Sequence, residues 1–350
     1  MKTCEPFVYL VQIKIFIKMS VPGKLFMSWL LVFFINFSMA QIHPVYKEVD
    51  QILWVVQNLK SVKKGWVELG FNEIEELKKV KLTSHGLKDA KGTVKASIAH
   101  LGGAKALWIQ PVNGETIFSR YLAKNGEGAV ALIHKVKNEQ ELYELTQNLA
   151  RANIGKIATY TLQTKTGDLK YTIMDTKEKG KYYMGFVIDE RTGNNSYSGK
   201  NQLNMKFNQY AFAIKDEVPV SSFWVSAGFP EFEITHGPIT DKMYFGRSSD
   251  FDMKLGWQRH GSIVFEWCIP LKPPTVYADH IRVHGEGIQH LGFSVEDIDK
   301  AIDFFKRKEH KISMSGGWGE KGKNGSGRFA YVDLSAVGGM TIELLWNFTE

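Results

Sequence analysis

The sequence predicts an α+β fold made of four modules, each a strand, a helix and then two or three strands, paired into two halves. Three observations predict it. The chain repeats itself at an offset of about 159 residues: Trp108-Ile109-Gln110-Pro111 is answered by Trp267-Cys268-Ile269-Pro270, Gly126-Glu127-Gly128 by Gly285-Glu286-Gly287, Val136 by Val295 and Gly180 by Gly339. Four segments share one opening, an apolar strand followed by Asn or Asp and then a helix. A polar stretch rich in Gly, Asn and Ser over residues 190–206 separates the second opening from the third.

Each element follows from local chemistry. Residues 51–57 (QILWVVQ) form the first strand, and Asn58 caps a helix that ends near Gly70-Phe71. Residues 130–136 (VALIHKV) precede Asn138 and a helix over residues 139–151. Residues 209–215 (QYAFAIK) precede Asp216 and a helix ending at Gly228-Phe229. Residues 290–295 (HLGFSV) precede Glu296-Asp297 and a helix over residues 298–308. Strands over 328–334 and 340–346 then follow, with Gly338-Gly339 as their turn.

The 350 residues suffice for about two domains. Apolar content of 44% and charged content of 23% are ordinary for a globular protein. The net charge of +7 falls to +4 once Lys2, Lys14, Lys18, Lys24 and Glu5 in the first 41 residues are set aside. That balance, with no basic run interleaved with aromatics, excludes a nucleic-acid partner.

Residues 1–40 read as a signal peptide, with Met19 as an alternative start. Lys24 precedes an apolar run over residues 25–37, and Ser38-Met39-Ala40 supplies small residues for cleavage before Gln41. The expected address is therefore export, periplasmic or secreted, with no membrane association after cleavage. The alternative is an anchor through residues 25–37, although that run is short of the roughly 20 residues a span needs. The mature chain would keep Cys268 alone and have no intrachain disulfide.

Chemistry is concentrated in the second half. Gln209, Glu266, His290 and Glu343 stand at module positions matched in the first half by Gln51, Leu107, Ala131 and Met184. One half keeps four potential metal ligands, and the other replaces three of them with apolar residues. The domains expected are residues 41–189 without a metal site, a linker over 190–206, and a metal-binding domain over 207–350. Two carboxylates, an imidazole and an amide oxygen suit one divalent ion, Zn, Ni, Co, Mn or Fe. Cys268 shares the strand face of Glu266 and is expected at or behind the cavity wall. His284 is placed in a loop before His290. Glu233, His236 and His260 are expected near the rim. Phe212, Phe245, Trp257, Phe293 and Tyr331 are read as core.

The paired βαβββ modules, with a His or Gln on a first strand and a Glu on a last strand, resemble the vicinal oxygen chelate superfamily. The resemblance covers roughly residues 45–346 and is strongest over 285–299 (GEGIQHLGFSVEDID), which looks like the epimerase and glyoxalase signature. It implies two domains of strongly curved mixed sheets forming open barrels. It also implies the ligand set Gln209, Glu266, His290 and Glu343, a combination found in one branch of glyoxalase I. Glu343 and Glu266 are then the candidate catalytic bases.

Three functions are open to such a chain. The first is a metal-dependent isomerase or lyase, glyoxalase- or epimerase-like, acting on a small oxyacid, sugar or carbonyl compound through a metal-stabilised enediolate. The second is a non-haem iron, extradiol-type dioxygenase, for which Gln209 breaks the two-His, one-carboxylate pattern. The third is a small-molecule-binding protein of the bleomycin-resistance type, which the four ligands disfavour.

Overall fold

The computed structural model describes residues 42–77, 81–85, 91–192 and 197–348. The expected signal peptide lies outside the described residues. The described residues belong to one compact unit, and among them no helix is long and apolar enough to cross a membrane.

The four modules form in chain order. Module one holds β1 (Gln51–Val55), α1 (Leu59–Glu68), β2 (Ile74–Leu77), β3 (Lys81–His85), β4 (Lys91–Leu101) and β5 (Ala104–Asn113). Module two holds α2 (Ile117–Asn125), β6 (Gly128–Lys135), α3 (Glu139–Arg151), β7 (Lys156–Gln163), β8 (Asp168–Met174), α4 (Lys177–Gly180) and β9 (Tyr183–Asp189). Module three holds β10 (Lys206–Ala213), α5 (Glu217–Ser226), β11 (Glu233–Thr235), β12 (Ile239–Tyr244), β13 (Arg247–Ser248), β14 (Asp252–His260) and β15 (Ile263–Lys272). Module four holds α6 (Val276–His284), β16 (Gly287–Ser294), α7 (Ile298–Arg307), β17 (Ile312–Trp318), β18 (Gly327–Leu334) and β19 (Met340–Asn347).

The caps read from the sequence are in place. Asn58, Asn138, Asp216 and Asp297 each accept a backbone N–H of their helix's first turn, a contact that contributes about 1 kcal/mol. In α7, Ile298, Ala301, Phe304 and Phe305 are buried, the spacing of a helix with one face on a sheet.

Modules one and two share a nine-stranded mixed sheet, and modules three and four a ten-stranded one. Both are strongly curved, as the two-domain α+β expectation requires. The second sheet has the expected open form, with β11 at one end and β13 at the other. The first goes further: β4 pairs with both β3 and β5, so its ring of pairings closes.

Three apolar clusters organise the molecule. One fills the first barrel and includes Leu53, Leu107, Ala131, Ile133, Tyr160, Tyr171 and Ile173. A second lies inside the other sheet and includes Ala211, Cys268, Tyr277, Phe329 and Tyr331. The third is shared between the halves and joins Trp54, Trp66 and Tyr182 to Phe212, Trp224 and Phe265. Across this shared core the indole N–H of Trp54 donates to Gly338 O at 2.6 Å, and that of Trp66 to Val337 O at 3.1 Å. Trp224 makes the reciprocal bond to Gly180 O at 3.2 Å. The carbonyls they bind belong to the turns that lead into β19 and β9.

Candidate metal centre

Four strands bring the donors together. Strand β10 lies between β15, to which it is parallel, and β16, to which it is antiparallel, and β16 is parallel to β19. Gln209, Glu266, His290 and Glu343 therefore sit on four neighbouring strands and point into the open barrel. All four are buried. Gln209 Nε2 lies 2.8 Å from Glu266 Oε2 and 3.0 Å from Glu343 Oε2. His290 Nε2 lies 3.2 Å from Glu266 Oε2 and 3.3 Å from Glu343 Oε2. The four residues named from the sequence converge on one point.

A possible metal site is thus present. Burial disfavours charge on His290, but the hydrogen bonds and charges of Glu266 and Glu343 outweigh it and push its pKa up to about 9. Burial, and next the charge of Glu343, pushes the Glu266 carboxyl above its usual range. Two carboxylates in a dry pocket call for a compensating cation, and the nitrogen and oxygen donors fit a divalent one. The Gln209 amide donates to both carboxylates here. Exchanging its O and N turns the oxygen toward the same point and makes it a ligand.

Sequence reasoning missed Gln289. Its Oε1 lies 2.6 Å from His290 Nδ1, and both side chains are buried. Adjacent strand residues normally face opposite ways, but the pairing of β10 with β16 slips between Ala211 and Phe212, opposite His290 and Ile288. Gln289 is the extra residue of this bulge, which re-aims its side chain. Accepting the Nδ1 proton leaves Nε2 free to bind a cation. Nothing in the local sequence marks the bulge.

Among the described residues of the first half the equivalent positions do not form such a cluster, for reasons more specific than the sequence gives. Gln51 is committed elsewhere: its Oε1 accepts from Tyr171 OH at 2.7 Å and its Nε2 donates to Asp50 at 2.8 Å. Leu107 and Ala131 occupy the places of Glu266 and His290, as the strand registers confirm. Met184 is not the counterpart of Glu343. It pairs with Leu132 and packs in the shared core, whereas Gly185 pairs with Ile133 as Glu343 pairs with Gly292. A Cβ at Gly185 would stand 2.7 Å from both Ile133 Cδ1 and Ile173 Cδ1, so isoleucine carbons fill the space a fourth ligand would need. A one-residue slip in the repeat hides this, because it turns every side chain to the other face.

Beside the donors opens a cavity of about 520 Å³, lined by Gln209, Glu266 and Glu343 at its inner end. Tyr277 from α6 and Tyr331 from β18 join the wall, their hydroxyls 2.6 Å apart. One hydroxyl donates to the other, which leaves a second proton for another acceptor. Clefts on the surface near Lys179 and Phe223, or near Lys63 and Val94, collect no comparable donors.

Several other expectations change. Cys268 is fully buried behind the wall, its Sγ within 4.8 Å of ligand atoms of Glu266 and His290, and burial keeps it a thiol. His284 ends α6 and is not in a loop. Its Nδ1 lies 2.7 Å from Asn125 O in the other half, so it serves that junction. His260 is not at the rim: it faces the shared core, its Nδ1 2.6 Å from Tyr46 O. His236 is exposed and paired with Asp252 at 3.0 Å. Glu233 is exposed on β11 opposite Trp257. Phe212, Phe293 and Tyr331 are core, Tyr331 also touching the cavity, but Phe245 is exposed and Trp257 is a half-buried part of the cavity wall.

No family model and no curated protein matches the chain. Among solved structures, a mutant of 4-hydroxymandelate synthase from Streptomyces coelicolor is similar with a TM-score of 0.57 at 11% identity, over 86% of this chain and 92% of that one. A Mn(II)-bound glyoxalase from Novosphingobium aromaticivorans is similar at 12% identity over 87% of this chain and 83% of that one, with a TM-score of 0.46. The first likeness establishes architecture, and the second carries no argument. With its four modules in two curved sheets, the chain has the fold of the vicinal oxygen chelate superfamily.

Proposed function

We propose that the protein is a metal-dependent enzyme, an isomerase or lyase, acting on a small oxyacid, sugar or carbonyl compound. The observation that carries this reading is the convergence of Gln209, Glu266, His290 and Glu343 at the inner end of a cavity. Gln209, Glu266, His290 and Glu343 would hold one divalent ion, Zn, Ni, Co, Mn or Fe. Such an ion would supply Lewis acidity, which would acidify a C–H beside a carbonyl of the substrate.

The chain's own residues supply the rest. Gln289 holds the His290 tautomer. A carboxylate must take the proton, and Glu343 is the better placed of the two. Glu266 has three partners, Gln209, His290 and the Cys268 thiol. Glu343 has two of these, each at a slightly longer distance, so its carboxylate loosens more readily to accept a proton at Oε2.

Glu343→Gln tests the reading. It keeps the side-chain volume and one ligating oxygen but removes the base. Metal should remain bound, turnover should fall by about 10²-fold or more, and the wild type should exchange solvent deuterium into the substrate's acidic carbon. Consumption of O₂ without that exchange would replace this reading with the dioxygenase. Full activity in Glu343→Gln would move the base to Glu266.

A further inference from the structure

We infer that the cavity selects a substrate with an apolar, aryl-sized body and a carboxylate at the end remote from the metal-binding oxygens, and that Arg259 recognises the carboxylate. This rests on reading the donor cluster as a cation site and names the substrate class of that site.

The placement follows from β14. Leu255, Trp257 and Arg259 alternate along it and so share a face. Trp257 is paired with Glu266 and Arg259 with Val264, so that face is the one that carries the metal ligand. Arg259 lies one strand across and two residues further along from Glu266, a Cα separation of roughly 8 Å. That distance suits one ring or a short chain between the two ends of a ligand.

The chemistry of the wall agrees. Ile239, Met253, Leu255, Trp257, Trp318 and Phe329 supply its apolar surface. The Trp257 indole is fixed by a 2.9 Å bond from Nε1 to Thr235 Oγ1. The Arg259 guanidinium stands 4.9 Å from the centroid of that indole, a contact that orients the fork without using its N–H donors. Arg259 makes no ion pair among the described residues. Glu266 and Glu343 are the only acids on the wall, and a divalent ion would cancel both. Arg259, the one Lys or Arg on the wall, is then left to face an anion. A guanidinium meets a carboxylate through two parallel hydrogen bonds.

Two probes separate the effects: benzohydroxamic acid, which chelates a metal through two oxygens, and its 4-carboxy derivative. Each is titrated by calorimetry into wild type and Arg259→Gln, with and without added Mn²⁺, with circular dichroism as a check on folding. Wild type should bind the carboxylated probe at least 10-fold more tightly. Arg259→Gln should remove that preference while binding benzohydroxamic acid as wild type does. Equal binding of the two probes to wild type, a preference that survives in Arg259→Gln, or no binding of either probe would overturn the proposal. Binding of benzohydroxamic acid that ignores Mn²⁺ would sink the metal reading instead, and the carboxylate preference would still be scored.

Discussion

Gly292→Ala is a sharp test of the candidate metal centre because it replaces no proposed ligand and displaces only one. Gly292 lies on β16 opposite Gln209, whose side chain crosses it. A Cβ there would stand 2.5 Å from Gln209 Cγ and 3.1 Å from its Cδ. Carbons at rest sit about 3.5–4.0 Å apart, so Gln209 must retreat by roughly 1 Å. A metal ligand tolerates only about ±0.2 Å. The variant should therefore lose Gln209 as a ligand, and its divalent-metal affinity should fall by at least about 10-fold, the lower bound for disturbing even an outer partner of a site. The control is Gly185→Ala in the first half, where the new methyl meets Ile133 and Ile173. That change should cost roughly 1–3 kcal/mol of stability by overpacking and leave metal binding untouched. The assay is metal titration against a competing chelator, with thermal melts of both variants. Wild-type affinity in Gly292→Ala would refute the placement of Gln209 at the centre.

Further outcomes follow from the same geometry. His290→Ala should remove most bound metal, read by elemental analysis of purified protein, while Gln51→Ala should not. Equal losses would contradict the asymmetry between the halves. Gln289→Leu, which frees the His290 tautomer, should weaken metal binding by about 10- to 100-fold at unchanged ligand count; an unaltered affinity would deny Gln289 this role. Burial lowers the pKa of both His134 and His260 to about 4. The unfolded chain takes up those protons near pH 6.5, so the part of the stability that rests on these two residues should be complete above that pH and decline as pH falls toward 4, by up to about 3 kcal/mol for each residue. Denaturant melts that do not change between pH 7 and 4.5 would contradict this. Sequencing the N-terminus of exported protein should begin near Gln41; a soluble mature form that retains residues 19–37 would exclude the expected cleavage.

Much of this arrangement was legible because the chain is its own alignment. The repeat marked Glu266 and His290 by contrast with Leu107 and Ala131, and N-cap chemistry placed four helices. Backbone irregularity was not legible. The bulge at Gln289 depends on which residue of a strand is left unpaired, and the one-residue slip between Met184 and Gly185 on a difference in chain length before the strand; neither changes the apolar pattern. The positions of His260 and His284 were missed for a related reason. A histidine on a strand or helix end has no sequence mark that says whether it faces a cavity or a neighbouring half.

The indole bonds from Trp54 and Trp66 to the Gly338 and Val337 carbonyls give the first half a duty. They grip the turn from which β19 departs, and β19 carries Glu343. The second barrel leans on its twin to hold the turn before the strand that carries Glu343. Exchange of Trp54 or Trp66, both fully buried, would therefore disturb the setting of Glu343 together with the shared core. The duplicate has become a jig.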